Sequence, residues 1–185
     1  IRTHGRPITG RAVLYVANHA SYLDIIALST VLPCCFVSKA EVNDWPVFGW
    51  LARSQRTVFI ERAARRAGDQ LDALKQRLEA GGDTVAVQPV SIAYSRLDGM
   101  PMGRAFRPLF TWYGDMELGP HLWTMLGLGR LGIDLVFHEP VRLSDFHSRK
   151  EIADRCWQDV DRGLQQALAG RLPDSGAAGD DSRDP

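Results

Sequence analysis

Residues 14–26, reading LYVANHASYLDII, constrain this chain more than any other stretch. Val13 to Ala17 is an unbroken apolar run of ordinary strand length, which predicts a buried strand. It stops at Asn18 and His19. Ser21 can then cap a helix, with Asp24 three residues later in the manner of a capping box. From Asp24 the pattern becomes apolar and helical through Ile25, Ile26 and Leu28, and Pro33 closes it. A strand running into a helix start presents the His19 imidazole at a corner, with the Asp24 carboxylate about one turn into the helix. A general base needs that layout: one ring nitrogen toward the substrate, and a carboxylate on the other to set tautomer and orientation. The bare H-x-x-x-x-D spacing also arises by chance, and a helix cap beside an unrelated histidine is its plainer reading.

Further along, strands and helices alternate. Residues 34–37 and 56–60 read as strands. Leu71, Leu74 and Leu78 recur at helical spacing and are ended by Gly81 and Gly82, which predicts an amphipathic helix. Residues 84–93 are strand-like but interrupted at Gln88 and Pro89, and residues 95–121 read as loop with short elements. Residues 133–141 read as a late strand. Ser144 is placed to cap a last helix running to Ala169, with Ile152, Cys156, Val160 and Leu164 on one face. The alternation predicts an α/β fold, a single domain over residues 1–170 with a central, partly parallel β-sheet flanked by helices. Residues 171–185, poor in apolar side chains, are expected to be a disordered tail.

Lys plus Arg equals Asp plus Glu at 22 each, so net charge argues for no nucleic-acid partner. The three cysteines, Cys34, Cys35 and Cys156, show neither disulfide nor zinc spacing, which favours a reducing compartment. Adjacent Cys34 and Cys35 are expected to be buried. His4, His121, His138 and His147 are scattered without metal spacing and read as structural. No run reaches the roughly 18–20 apolar residues of a membrane-spanning helix. The apolar stretches 45–52 and 122–131, carrying Trp45, Trp50 and Trp123, read as core or as a lipid-facing surface.

Asn18, His19 and Asp24, as N-H-x-x-x-x-D, resemble the first motif of the glycerolipid acyltransferases, the 1-acylglycerol-3-phosphate (lysophosphatidate) acyltransferase family. Four later stretches resemble that family in the same order. Ser38-Lys39-Ala40-Glu41 before Trp45-Pro46-Val47-Phe48-Gly49 is similar to its lysine segment and aromatic helix. Val58-Phe59-Ile60-Glu61-Arg62 is similar to its second motif, and Gln88-Pro89-Val90-Ser91-Ile92 to its fourth. Residues 94–101 and 112–126 look like the tail of its bacterial members. Residues 8–145 carry the resemblance.

One motif departs. The family's Phe-Pro-Glu-Gly-Thr loop, which holds the glycerol phosphate, has no counterpart here: Asp83-Thr84-Val85-Ala86 runs straight into Val87-Gln88-Pro89. A segment of a few tens of residues is missing near residues 84–88. Three explanations are open: a mobile loop left out of the sequence, which is favoured, a cut chain, or a natural variant with a degraded site.

The resemblance implies a transfer of a fatty acyl group from acyl-CoA or acyl-carrier protein to the free hydroxyl of 1-acylglycerol-3-phosphate. His19 is then the base and Asp24 its orienting carboxylate, with neither metal nor cofactor beyond the acyl donor. It further implies that Arg62, Glu61, Lys39 and Asn18 form the substrate-binding set, Arg62 on the phosphate; from the residues themselves, Lys39 can contact phosphate or pair with Glu41, and Asn18 reads as a brace of the corner rather than a group in the chemistry. The expected partners are a lysophospholipid acceptor and a membrane surface. The expected place is the cytoplasmic face of the inner membrane, held peripherally or by an N-terminal segment outside this chain. Two alternatives remain: another acceptor, such as lyso-ornithine lipid or a lysophospholipid, or a degraded, non-catalytic lipid-binding domain. An unrelated α/β hydrolase is disfavoured, since no G-x-S-x-G elbow occurs.

Overall fold

The structure is a computed structural model that describes residues 1–39, 58–60, 86–112, 116–142 and 145–172. Its centre is one long strand, β5 (Ala86–Leu97), buried along nearly its whole length. On one side β5 runs parallel to β2 (Val13–Ala17), pairing Val13 with Ala86 and Ala17 with Val90. On the other it runs antiparallel to β7 (Leu131–Phe137), which is itself parallel to β1 (Arg2–His4). Two short strands, β6 (Met100–Pro101) and β8 (Val141–Arg142), also pair with β5. The sheet is therefore mixed and only partly parallel, as the alternating pattern predicts. β3 (Val37–Lys39) and β4 (Val58–Ile60) form a separate parallel pair.

Successive residues of β5 face opposite sides of the sheet. Val90, Ile92 and Tyr94 enter the larger core, where Ala27 and Leu28 of α1 (Leu23–Ser29) and Met125 of α2 (Leu118–Gly127) meet Leu135 and Phe137. A 3-10 helix, Arg104–Phe110, adds the buried Phe110. Val87 and Ser91 face the other way, onto α3 (Arg149–Leu168), whose Cys156 and Val160 are buried as its apolar face predicts.

Several expectations are corrected. Pro89 does not interrupt β5. Its carbonyl accepts from His138 N–H at 3.0 Å, so its missing N–H falls where β7 has ended and β8 has not begun. Gln88 instead ties the first loop to the sheet, accepting from Ile8 N–H and donating to the Arg6 carbonyl, both at 2.9 Å. The cap of α3 is Ser148, whose hydroxyl accepts from Glu151 N–H, rather than Ser144. The second strand starts at Val37, leaving Cys34 half-buried and Cys35 exposed. Asp98 and Gly99 both take positive φ, a two-residue hairpin turn joining β5 to β6. The amphipathic pattern over residues 71–78 and the tail at 173–185 lie outside the described residues.

Two glycines mark close approaches. A Cβ on Gly5, at φ 75°, would overlap the Phe137 carbonyl oxygen. On Gly163 it would come 2.6 Å from the His138 ring and closer still to Ser91 Oγ, because α3 lies directly on β5 there. Gly163→Ala is expected to destabilise the protein. Overpacking of this kind costs about 1–3 kcal/mol, and the bonds of Ser91 would also be disturbed. The opposing gain in helix propensity is about 1 kcal/mol. A lower urea midpoint is the expected reading, and an unchanged or higher one counts against the close approach.

Candidate active site

β2 ends at Ala17, and the chain turns at once into α1. Asn18 holds that corner: its side-chain amide donates to the Ile92 carbonyl at 2.9 Å and accepts from Ile92 N–H at 2.8 Å. Both polar atoms are thus used on β5, which makes Asn18 a brace between strands β2 and β5. The capping box forms only in part. The N-cap of α1 is Tyr22, without a side-chain cap bond, and Ser21 Oγ reaches only Leu23 N–H, at 3.4 Å. The Asp24 carboxylate does the reverse half, accepting from Ser21 N–H at 2.9 Å and from Ala20 N–H at 2.7 Å.

Those two bonds turn Asp24 back toward the corner, where the same Oδ2 meets His19 Nδ1 at 2.9 Å. Asp24 is 2% exposed, whereas the His19 side chain is 68% exposed. Oδ2 accepts from two amides and so acts as a carboxylate oxygen. Nδ1 therefore carries the proton, and Nε2 is left with a lone pair at an accessible position. The hydrogen bond to Asp24 raises the His19 pKa above its usual 6.5; partial burial opposes this, and the charge of Asp24 adds to it. On Oδ1, Asp24 accepts from the buried Tyr94 hydroxyl of β5. In the sequence Tyr94 stands only as the first residue of the 94–101 stretch, with no role assigned to it. Its signal was its place on a buried strand face with Val90 and Ile92, where a phenol must find a partner.

Lys39 ends β3 with its Cα paired to that of Ile60, the last residue of β4, so the backbone brings Lys39 level with the end of the strand that precedes Glu61. Glu61 and Arg62 themselves lie outside the described residues. Three of the other histidines have internal partners: His4 meets Asp134, His121 meets the Tyr22 hydroxyl, and His138 meets Ser91, while His147 is exposed. The last pair is not an activated nucleophile. Ser91 is fully buried and donates to the Val160 carbonyl at 2.7 Å, so His138 Nε2–H donates to it at 2.8 Å. Burial raises the Cys34 thiol pKa, which disfavours a thiolate there. Among the described residues no three His, Cys, Asp or Glu side chains gather as metal ligands would. An apolar cavity of about 500 Å³ opens between β2 and α3, reaching from Leu14 and Val16 to Asn18.

The acyltransferase family profile matches residues 1–91, the part that holds His19 and Asp24. The chain is 40% identical to the lyso-ornithine lipid O-acyltransferase of Brucella abortus, over 92% of this chain and 78% of that protein. This chain belongs to the acyltransferase family. It is an O-acyltransferase. It is also 36% identical to the 1-acyl-sn-glycerol-3-phosphate acyltransferase of Neisseria gonorrhoeae, over 84% of this chain and 71% of that protein. In fold, the acyltransferase resembles the 1-acyl-sn-glycerophosphate acyltransferase of Thermotoga maritima, with a TM-score of 0.57 and 23% identity over 93% of this chain and 73% of that one. The Brucella match runs over 208 residues, more than the 185 of this acyltransferase, so that relative carries residues inside the match that this chain does not.

Proposed function

We propose that this acyltransferase moves a fatty acyl group from a thioester, acyl-CoA or acyl-carrier protein, to the free hydroxyl of a lysolipid, with lyso-ornithine lipid as the acceptor. The observation that carries the chemistry is the His19–Asp24 pair: an accessible Nε2 behind which a buried carboxylate holds Nδ1 at 2.9 Å. His19 Nε2 takes the proton of the acceptor hydroxyl as its oxygen attacks the thioester carbonyl. Asp24 stabilises the imidazolium that forms. Collapse of the tetrahedral adduct expels the thiolate of the donor, which recovers the proton from His19. The reaction so written uses no metal and no covalent acyl-enzyme.

The acceptor is argued from kinship. Proteins of Brucella abortus and Rhizobium meliloti, 40% and 36% identical, are named for lyso-ornithine lipid. The Neisseria relative favours the second reading, 1-acylglycerol-3-phosphate with Arg62 on its phosphate. The apolar cavity beside Asn18 suits an acyl chain. Helix α2 has no charged residue and leaves Trp123 and Leu126 at 80% and 74% exposure, which suits contact with lipid. We place the work at the cytoplasmic face of the inner membrane, where a thioester donor and a bilayer-borne acceptor meet.

The test supplies long-chain acyl-CoA or acyl-carrier protein with each lysolipid and follows thiol release and product mass. Release that depends on lyso-ornithine lipid is the expected result. Release with 1-acylglycerol-3-phosphate alone would reverse the choice of acceptor. Release without any acceptor would indicate a thioesterase. Lipid binding without release would support a non-catalytic domain.

A further inference from the structure

The Asp24 carboxylate is supplied with donors from two directions. Oδ2 takes three from the corner itself: His19 Nδ1, Ala20 N–H and Ser21 N–H. Oδ1 takes one from across the core, the Tyr94 hydroxyl on β5. We propose that Tyr94 is a positioning residue for acyl transfer: by donating to Oδ1 it fixes the rotation of the Asp24 carboxylate and limits how tightly Asp24 holds the proton on His19. This inference rests on His19 as the base.

The geometry supplies the reason. A buried carboxylate with one oxygen unpaired would pay for it or turn about its last bond, and either change would disturb the line from Oδ2 to Nδ1. The Tyr94 ring is itself held, lying 6.2 Å from Phe110 between centroids. Its donor role persists with pH, since burial and the Asp24 charge drive the phenol pKa well above its usual range. Among the described residues, His19 and Tyr94 are the titratable groups bonded to Asp24. Tyr22 and the Ser21 hydroxyl stand beside Tyr94, and Tyr22 passes its own hydroxyl contact to His121 of α2. A donor on Oδ1 draws charge away from Oδ2 and so weakens the hold on imidazolium. A base must release its proton as well as take it.

The test is Tyr94→Phe, which keeps the ring and removes the donor. The His19 titration, followed by its Cε1–H resonance, is expected to move to higher pH. The acid limb of the rate profile should move with it, and kcat should fall on the order of 10-fold with KM little changed, as for other partners that orient a working side chain. In an Asp24→Asn background the same change should no longer move His19, because Tyr94 acts through Asp24. A titration and kcat that coincide with the unaltered protein would overturn the proposal, as would a change in KM alone. If the unaltered protein transfers no acyl group, the general-base reading falls by itself. The shift of His19 in Tyr94→Phe then still establishes the hold on Asp24, and an unmoved His19 removes it. Should Tyr94→Phe fail to fold, the hydroxyl proton of Tyr94 in the unaltered protein decides. Protection from exchange that is lost in Asp24→Asn supports the bond, and fast exchange in both overturns it.

Discussion

His19→Ala is expected to lower acceptor-dependent acyl transfer about 100- to 10,000-fold, the usual contribution of a positioned general base. A neutral hydroxyl is a poor nucleophile, and the accessible Nε2 is the group placed to take its proton. Stability should change little. The His19 side chain is 68% exposed, and Asp24 keeps the Ala20, Ser21 and Tyr94 donors when it is gone. The pH profile gives an independent check. Only neutral imidazole is a base, and the Asp24 bond raises the His19 pKa above 6.5. The rate should therefore rise with pH through a value above 6.5 and then level off. Stability runs the other way. A raised folded-state pKa contributes stability that is full below the unfolded value and is lost as pH rises through the folded one. Solvent screening at so exposed a ring keeps that contribution small. A His19→Ala variant that retains full kcat would remove the proposed mechanism.

Asp134→Ala is expected to cost about 3 kcal/mol of stability, at the lower end of the cost of removing one member of a buried charge cluster. Asp134 is fully buried in β7 and joins three strands. From β1 it accepts from Arg2 Nε at 2.8 Å and meets His4 Nε2 at 2.9 Å. From β5 it accepts from Ser95 Oγ at 2.5 Å and Arg96 Nη2 at 3.1 Å. The two guanidinium groups reach water, with side chains 43% and 21% exposed, so their loss is partly made good. His4 and Ser95 are buried, so water replaces the Asp134 acceptor poorly there. For a chain of this size the expected fall in Tm is about 6–12 °C. Arg2→Ala, which removes only the more exposed partner, should cost about 1 kcal/mol or less. Calorimetry showing equal losses for the two variants would contradict this division.

The sequence was most readable where the contacts are short in chain distance. β2 runs over Val13–Ala17 as its apolar run predicts, and His19 and Asp24, five residues apart, meet at the corner. Each depends on side-chain periodicity or on a bond closed within one turn. The Asp98-Gly99 pair is an equally local sign of a hairpin turn, inside a stretch whose composition predicts only loop with short elements. The spacing points to Ser144 as the α3 cap; the cap is Ser148, whose hydroxyl accepts from Glu151 N–H three residues on, the local sign of a capping box. Asp134 inside an apolar strand signalled a buried charge in need of partners without saying which.

The sequence alone determined the α/β alternation, the corner that presents an imidazole, and the carboxylate that reaches it. Only the tertiary structure decided that Asn18 is spent on Ile92, that Tyr94 completes the Asp24 carboxylate, and that β5 passes between β2, β7 and β8 with Pro89 at the change of partner. These are bonds between residues dozens of positions apart. A strand's period tells which face a side chain takes, but its partner is chosen by the order in which the strands assemble, and no local spacing records that order.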